Sequence, residues 1–342
     1  MNNKNLVLIL IIFCVITLFL NMFNTFNKSR NSHILKDYKN EKINKIVSSN
    51  KIAIISLNGI IENRPNDSFS FSQQNDANSF LKAIKEAQTD NQVKGVVLKI
   101  NTPGGTVGMS QNIYDAIIRL RKAKPVVVFM EDVAASGGYY IASAADRIVA
   151  QSGTLTGSIG VIMSTLDAHQ LLQNKLLVEP NVIKSGKYKD VGSQLKKMTD
   201  EEKQLLQSIV NDTYNQFIRA IINGRIERND NYSTPSMQLD METLTKYADG
   251  RIFTGSQAKT FGFIDSNGDL EYATEFAKVM ASEKFRIKVK SLNVQNYPDK
   301  KDFNFYSFIS EMLNTNKTSS SMLDSLIPTS MKLSRKPLYL WE

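Results

Sequence analysis

Residues 93–130 read VKGVVLKINTPGGTVGMSQNIYDAIIRLRKAKPVVVFM. Two continuous apolar, β-branched runs, 93–100 and 126–130, bracket a stretch whose apolar residues recur at helical spacing over 110–122. Runs apolar at every position mark strands covered on both faces. Recurrence every three or four residues marks a helix with one buried side. Strand, helix and strand in that order predict an α/β domain with a largely parallel sheet. The same grammar extends outward. Residues 51–57 (KIAIISL) form a strand-like run closed by the turn signal Asn58-Gly59. Residues 75–89 carry Phe80, Leu81, Ile84 and Ala87 at helical spacing, and further helical patterns cover 139–145 and 167–175. A long amphipathic helix is predicted over 200–224, with Asp200, Glu201 and Glu202 at its start and Gly224 at its end. About 235 residues from 51 to 285 suffice for one large core, so a single domain is expected there.

The flanks differ from this body. After a short tail, residues 1–5, the run 6–20 (LVLILIIFCVITLFL) is almost wholly apolar, and 21–23 extend it to roughly the length that spans a bilayer as helix. No small-x-small cleavage site follows it, so 6–23 read as a retained signal anchor rather than a removed signal peptide. Cys14 follows the bulky Phe13 and reads as a lipid-facing residue. Lys28, Arg30, Lys36 and Lys39 come after the span and weigh against an extracytoplasmic C-terminus. Residues 24–50 are polar and read as a stalk. Residues 286–342 form an extension: 303–313 have the pattern of a short amphipathic helix, and the chain ends on an apolar run, KPLYLWE, with its one tryptophan.

The net charge of +9 is unevenly spread. Residues 1–50 hold seven Lys/Arg against two acids, residues 286–342 nine against five, and 51–285 hold 26 of each. A basic surface on the folded body is the usual footprint of nucleic-acid binding, so a neutral body argues against that partner. Basic flanks suit anionic lipid headgroups. The one cysteine lies in the apolar span, so the rest of the chain has neither a disulfide framework nor a thiolate metal site. With only His33 and His169 as imidazoles, no metal and no cofactor is expected.

A candidate nucleophile lies in 131–140, EDVAASGGYY. Ser136 precedes Gly137, Gly138 and an apolar helical run, so it falls at a sharp turn into a helix. Glycine there admits unusual backbone angles and close approach of a substrate. Unsatisfied amides at the start of a helix suit a developing oxyanion. With histidine scarce, lysine is the natural base for such a serine. The same tripeptide also fits a plain helix cap.

Four more glycine-bearing stretches accompany it: 101–107 (NTPGGTV), 154–162 (TLTGSIGVI), 185–190 (SGKYKD) and 249–265, which opens DGRIFTG and closes GFID. None is a phosphate-binding loop. Taken in order and at these distances, the five closely resemble the signal peptide peptidase A (SppA) family of membrane-bound serine peptidases, from about Ile52 to about Met280. The resemblance implies a crotonase-like (ClpP-like) fold and a Ser/Lys dyad. It matches Ser136 to the nucleophile, Lys189 to the general base, and Ser158 to a serine hydrogen-bonded to that lysine. Gly104, Gly105 and Gly137 fall in its oxyanion region. Family substrates are signal-peptide remnants and other hydrophobic or unfolded segments. The expected setting is the bacterial cytoplasmic membrane, single-pass, with the catalytic domain on the periplasmic side.

A lysine base must be neutral, against an ordinary pKa of about 10.4, and burial lowers that value. Val182, Ile183 and Val191 around SGKYKD fit a partly dry site. Were the segment extended, Lys187 and Lys189 would point the same way. Spacing alone does not choose between them; the family match to Lys-Asp does. Asp190 should turn away and pair elsewhere, Lys184 and Lys187 should be solvated, and His169 reads as an ordinary helix-face histidine. Two-domain members of the family divide serine and lysine between their halves. This chain is one half long yet carries both, so the resemblance suggests a homo-oligomer with each dyad completed across a subunit boundary. The rival readings are a crotonase-type acyl-CoA enzyme and a non-catalytic membrane-anchored scaffold.

Overall fold

The structure, a computed structural model, describes residues 50–63, 76–227 and 232–298. The expected anchor 6–23, the stalk and the helical pattern at 303–313 lie outside these residues. Among the described residues no helix is long and apolar enough to cross a membrane.

The chain opens with β1 (Lys51–Asn58), α1 (Ala77–Thr89), β2 (Val93–Thr102), α2 (Val107–Ala123), β3 (Val126–Ala135) and α3 (Gly137–Ala142). It continues through β4 (Arg147–Ala150), β5 (Leu155–Gly157), α4 (His169–Lys175) and α5 (Asp200–Ile221). Then come α6 (Met241–Tyr247), β6 (Ile252–Thr254), α7 (Gly255–Thr260), β7 (Ser266–Asn267), α8 (Leu270–Phe285) and β8 (Asn293–Asn296). The sheet runs β6-β5-β3-β2-β1-β8, with β4 and then β7 branching from β3. Its pairings are parallel except β5 with β6, so the sheet is mixed. Through β8 it takes in residues beyond 285.

Alternation along the buried strands divides the core in two. Val96, Leu98 and Ile100 of β2 and Val126, Val128 and Met130 of β3 face one layer, with α1, α2 and α3. Val97, Val127 and Phe129 face the other, packed on Ala273, Phe276, Ala277 and Met280 of α8. Both faces are covered, which is why these strands read as unbroken apolar runs.

The strand β3 is longer than its apolar run because it changes neighbours. Residues 127–130 pair with β4, while Val133, Ala134 and Ala135 pair with Leu155, Thr156 and Gly157 of β5. At the changeover the polar residues are occupied. Glu131 pairs with Lys99 at 2.7 Å, and the Asn101 side chain donates to Asp132 and accepts from the Val133 amide. The helix expected at 139–145 begins two residues earlier and ends at Ala142, and α4 begins at His169 rather than Asp167.

Helix α5 starts with a reciprocal capping box between Thr199 and Glu202. It does not end at Gly224. Residues Ile222–Ile226 continue it as a π turn, and Gly224 lets the helix pass the Ser143 carbonyl, which stands where a Cβ would be. That turn delivers Arg225 into the interior. Its guanidinium meets both oxygens of Asp265 at 2.9 and 3.1 Å, and neither side chain is exposed. Asp265 also accepts from the backbone amides of Ile148 and Met237. Removing one partner of such a pair strands the other charge in the core and costs about 3–5 kcal/mol. Urea unfolding of Arg225→Met should show a loss of that size. Breaking the exposed Lys187–Glu201 pair by Lys187→Met should leave the midpoint unchanged within scatter.

Candidate active site

At the C-terminal end of β3 the backbone turns into α3 through Ser136, at φ 52 and ψ −118. A non-glycine residue rarely adopts a positive φ, and holding one there costs about 1–3 kcal/mol. The turn is fixed from both ends. The Ser136 amide donates to the Gly157 carbonyl at 2.9 Å, and the Ser136 carbonyl accepts from the Tyr140 amide at 2.9 Å.

The NTPGG turn presses on it from the neighbouring strand. Gly104 has φ +106, and a Cβ there would lie 2.8 Å from the Gly137 nitrogen and 2.9 Å from the Ser136 Cβ. Gly105 forms an isolated parallel bridge with Ile61. The bridge bonds belong to its neighbours: the Ile61 amide donates to the Gly104 carbonyl, and the Thr106 amide to the Ile61 carbonyl. In that pattern the N–H of Gly105 itself turns away from Ile61. The Gly105 nitrogen stands beside the start of α3, since a Cβ on Gly137 would lie 3.2 Å from it. The Gly137 amide, first in α3, has no carbonyl a turn earlier to bond. Two adjacent amides thus flank the serine.

The third and fifth stretches complete the surround. Ser158, at φ 50, donates its amide to the Arg251 carbonyl at 2.7 Å, and the Gly250 amide donates to the Ile159 carbonyl at 3.0 Å. Ser136, Gly137, Gly105 and Ser158 together line a cavity of about 350 Å³. Its other walls come from Val107 and Ser110 at the start of α2, from Ile162, and from Thr213, Gln216 and Phe217 of α5. The α5 residues carry no motif. Their only signal in the sequence is the amphipathic pattern of the helix, which speaks of packing, not of a site.

Lys189 is not among the lining residues, and neither is any other lysine, histidine or carboxylate. It lies in an exposed series of turns, with its amide donating to the Gly186 carbonyl at 3.2 Å. The segment is therefore not extended, and the expectation that Lys187 and Lys189 share a face does not apply. Asp190 pairs with Lys184 at 2.6 Å and with Lys196 at 3.1 Å, and hydrogen bonding by Lys184 holds its pKa below the ordinary carboxylate range. Lys187 pairs with Glu201 at 2.6 Å, which raises the lysine pKa and keeps it charged. His169 binds Asp167 through Nδ1 at 2.5 Å, outside the cavity.

Residues 61–153 match the family model for Clp protease, and residues 118–284 that for peptidase family S49. A putative protease of Methanocaldococcus jannaschii is 37% identical over 61% of this chain and 63% of its own length. A putative signal peptide peptidase SppA of Enterococcus faecium is 35% identical over 70% and 66%, and a putative protease of Synechocystis is 39% identical over 59% and 68%. The body has a ClpP-like α/β fold. The chain belongs to peptidase family S49, the SppA family of serine peptidases. It spans about two thirds of the length of these relatives.

Gly104→Ala forces a Cβ into the Ser136 turn at a φ that alanine resists. Fluorophosphonate labelling of Ser136 should slow at least about tenfold, roughly the rate effect of 1.4 kcal/mol. Gly108→Ala, in open space at the start of α2, should label like the parent.

Proposed function

We propose that the chain is a membrane-anchored serine endopeptidase that cleaves signal-peptide remnants and similar hydrophobic or unfolded segments. Ser136 is the nucleophile and Lys189 the general base. The observation that carries this reading is a strained serine beside two amides, opening on a cavity that supplies no base of its own.

The chemistry runs as acyl transfer. Neutral Lys189 Nζ takes the Ser136 proton as Oγ attacks the scissile carbonyl carbon. The amides of Gly105 and Gly137 then hold the negative carbonyl oxygen, with Gly104 fixing their separation. The resulting ammonium returns its proton to the departing amine, and the C–N bond breaks. Water, activated by the same amine, cleaves the acyl-serine ester and restores the hydroxyl. Ser158, beside Ser136 in the cavity, is suited to orient the lysine.

The lysine arrives from a neighbouring copy of the chain. Between the cavity wall and α5, the segment that holds Lys189 exposes Ile162, Leu166, Leu177 and Ile183, at 91%, 65%, 85% and 102% of full exposure. So dense an apolar surface is the kind that a partner covers, and a boundary that excludes water favours a neutral amine. A closed homo-oligomer with a crotonase-like superhelical core is the assembly this implies. The apolar span 6–23 is suited to anchor it in the bacterial cytoplasmic membrane, with the catalytic body on the periplasmic side.

Ser136→Ala and Lys189→Ala should each lower peptide turnover at least about a thousandfold with the fold intact, while His169→Ala stays near normal. Mixing the two inactive chains, with hetero-oligomers verified through a tag on one of them, should restore part of the activity. Mixed oligomers without activity would assign the dyad to a single chain, and near-normal turnover by Lys189→Ala would end the lysine-base mechanism.

A further inference from the structure

The segment between α4 and α5 carries Lys189, and little backbone structure holds it in place. It contains no helix or strand. From 186 to 193 its backbone bonds are tight turns: the Lys189 amide donates to the Gly186 carbonyl and the Val191 amide to the Tyr188 carbonyl, both at 3.2 Å, and the Ser193 amide to the Asp190 carbonyl at 3.1 Å. Such bonds fix the shape of a loop but not its position. The Ala168 amide donates to the Gln194 carbonyl at 2.9 Å, yet α4, which Ala168 opens, has no buried residue to serve as a reference.

One side chain supplies that reference. Lys196 reaches Asp190, the residue after Lys189, at 3.1 Å, and also donates to Glu202 in the first turn of α5. The second oxygen of Glu202 accepts from the Thr199 amide at 3.1 Å, so the capping box fixes this carboxylate. Helix α5 is held in turn by Phe217 and Ala220 in the core and by the Tyr214 hydroxyl, which donates to the Ala248 carbonyl at 2.7 Å. Lys184 also pairs with Asp190, but its second contact is the Lys187 carbonyl, at 3.1 Å, so it ties the loop only to itself. Hydrogen bonding to Glu202 raises the Lys196 pKa, which keeps the bridge charged. An isolated exposed ion pair holds little, and a network of shielded groups holds more. The Asp190, Lys196 and Glu202 side chains are 13%, 29% and 3% exposed, against 61% for both Lys187 and Glu201.

We propose that Lys196 is a positioning residue for the peptidase reaction, a brace that joins the Lys189 loop to α5 through Asp190 and Glu202 and so sets where the general base stands. Further along, the same helix lines the Ser136 cavity with Thr213, Gln216 and Phe217. One helix therefore locates both the wall of its own cavity and the lysine offered to the neighbouring site. Misplacing a reacting group by about 1 Å can cost on the order of a hundredfold in rate. The brace thus matters to turnover although it touches no substrate. Arginine keeps the charge and can span two carboxylates with its fork. Methionine keeps the apolar stem and spans neither.

The inference rests on the lysine-base reading, so its test includes an arm that needs no catalysis. Amide hydrogen exchange is followed on the full-length chain in detergent, for the parent, Lys196→Met, Lys196→Arg and Lys187→Met. Exchange across 184–194 should quicken at least about tenfold in Lys196→Met, with the strands β2 and β3 unchanged, and should stay near the parent in the other two. Turnover of acetyl-Ala-Ala-Leu coumarin amide gives the second arm. In Lys196→Met, kcat should fall about tenfold or more while KM stays within about twofold, and Lys196→Arg should recover most of the loss. Unchanged exchange and kcat in Lys196→Met overturn the assignment, as does an arginine variant as impaired as the methionine one. If exchange responds to Lys196 as expected but Lys189→Ala keeps its turnover, the lysine-base reading fails and the brace stands. If Lys189→Ala is inactive and Lys196→Met behaves as the parent in both arms, the brace fails and that reading stands.

Discussion

The site depends on one backbone turn, the passage from β3 to α3 through Ser136 at positive φ. Left alone, a serine would relax to an ordinary conformation and swing its hydroxyl away. Two contacts prevent this: the hydrogen bond to Gly157 and the close approach of Gly104. Neither tolerates a side chain at its glycine without displacement, which gives NTPGG and TGSIG a physical reason to be glycine-rich. The strain is local, about 1–3 kcal/mol, and the buried sheet around it supplies the rigidity that maintains it.

That rigidity traces to the change of neighbours along β3. By pairing first with β4 and then with β5, the strand brings Gly157 level with Ala135 and delivers Ser158 into the same cavity as Ser136. The fifth motif closes the arrangement from behind. Its Arg251 carbonyl and Gly250 amide hold Ser158 and Ile159, its Phe263 carbonyl accepts from the Tyr139 hydroxyl at 2.9 Å, and Asp265 anchors Arg225 of the π turn. Stretches far apart in the chain thus form one connected set of contacts, and their joint occurrence in sequence reflects that contact.

The alternation of buried runs and helical spacings was enough to read the parallel sheet, its layers and most element positions, because burial on both faces leaves an unbroken apolar signature. The end of β3 was not legible. Glu131 and Asp132 look like a loop, yet they sit in the strand where its partners change. Gly224 looked like a helix stop and instead permits a close backbone contact within a π turn. At the site, Ser136, Ser158, Gly105 and Gly137 line one cavity, whereas Gly104 is not in its lining and Lys189 stands in an exposed turn outside it. In the proposed assembly the lysine comes from a second copy, a relation that spacing along one chain does not describe. The α5 wall was hidden for a different reason, since Thr213, Gln216 and Phe217 read only as one face of an amphipathic helix.

The central claim is that Ser136 meets a lysine from a neighbouring copy, and proximity between chains tests it most directly. In a Cys14→Ala background, chains carrying Ser136→Cys and chains carrying Lys189→Cys are co-assembled and treated with a short bis-maleimide. The account predicts a covalent dimer on a denaturing gel, joined through the two substituted positions and formed only when both chains are present. A cross-link confined to single chains bearing both substitutions, with no dimer in the mixture, would contradict it.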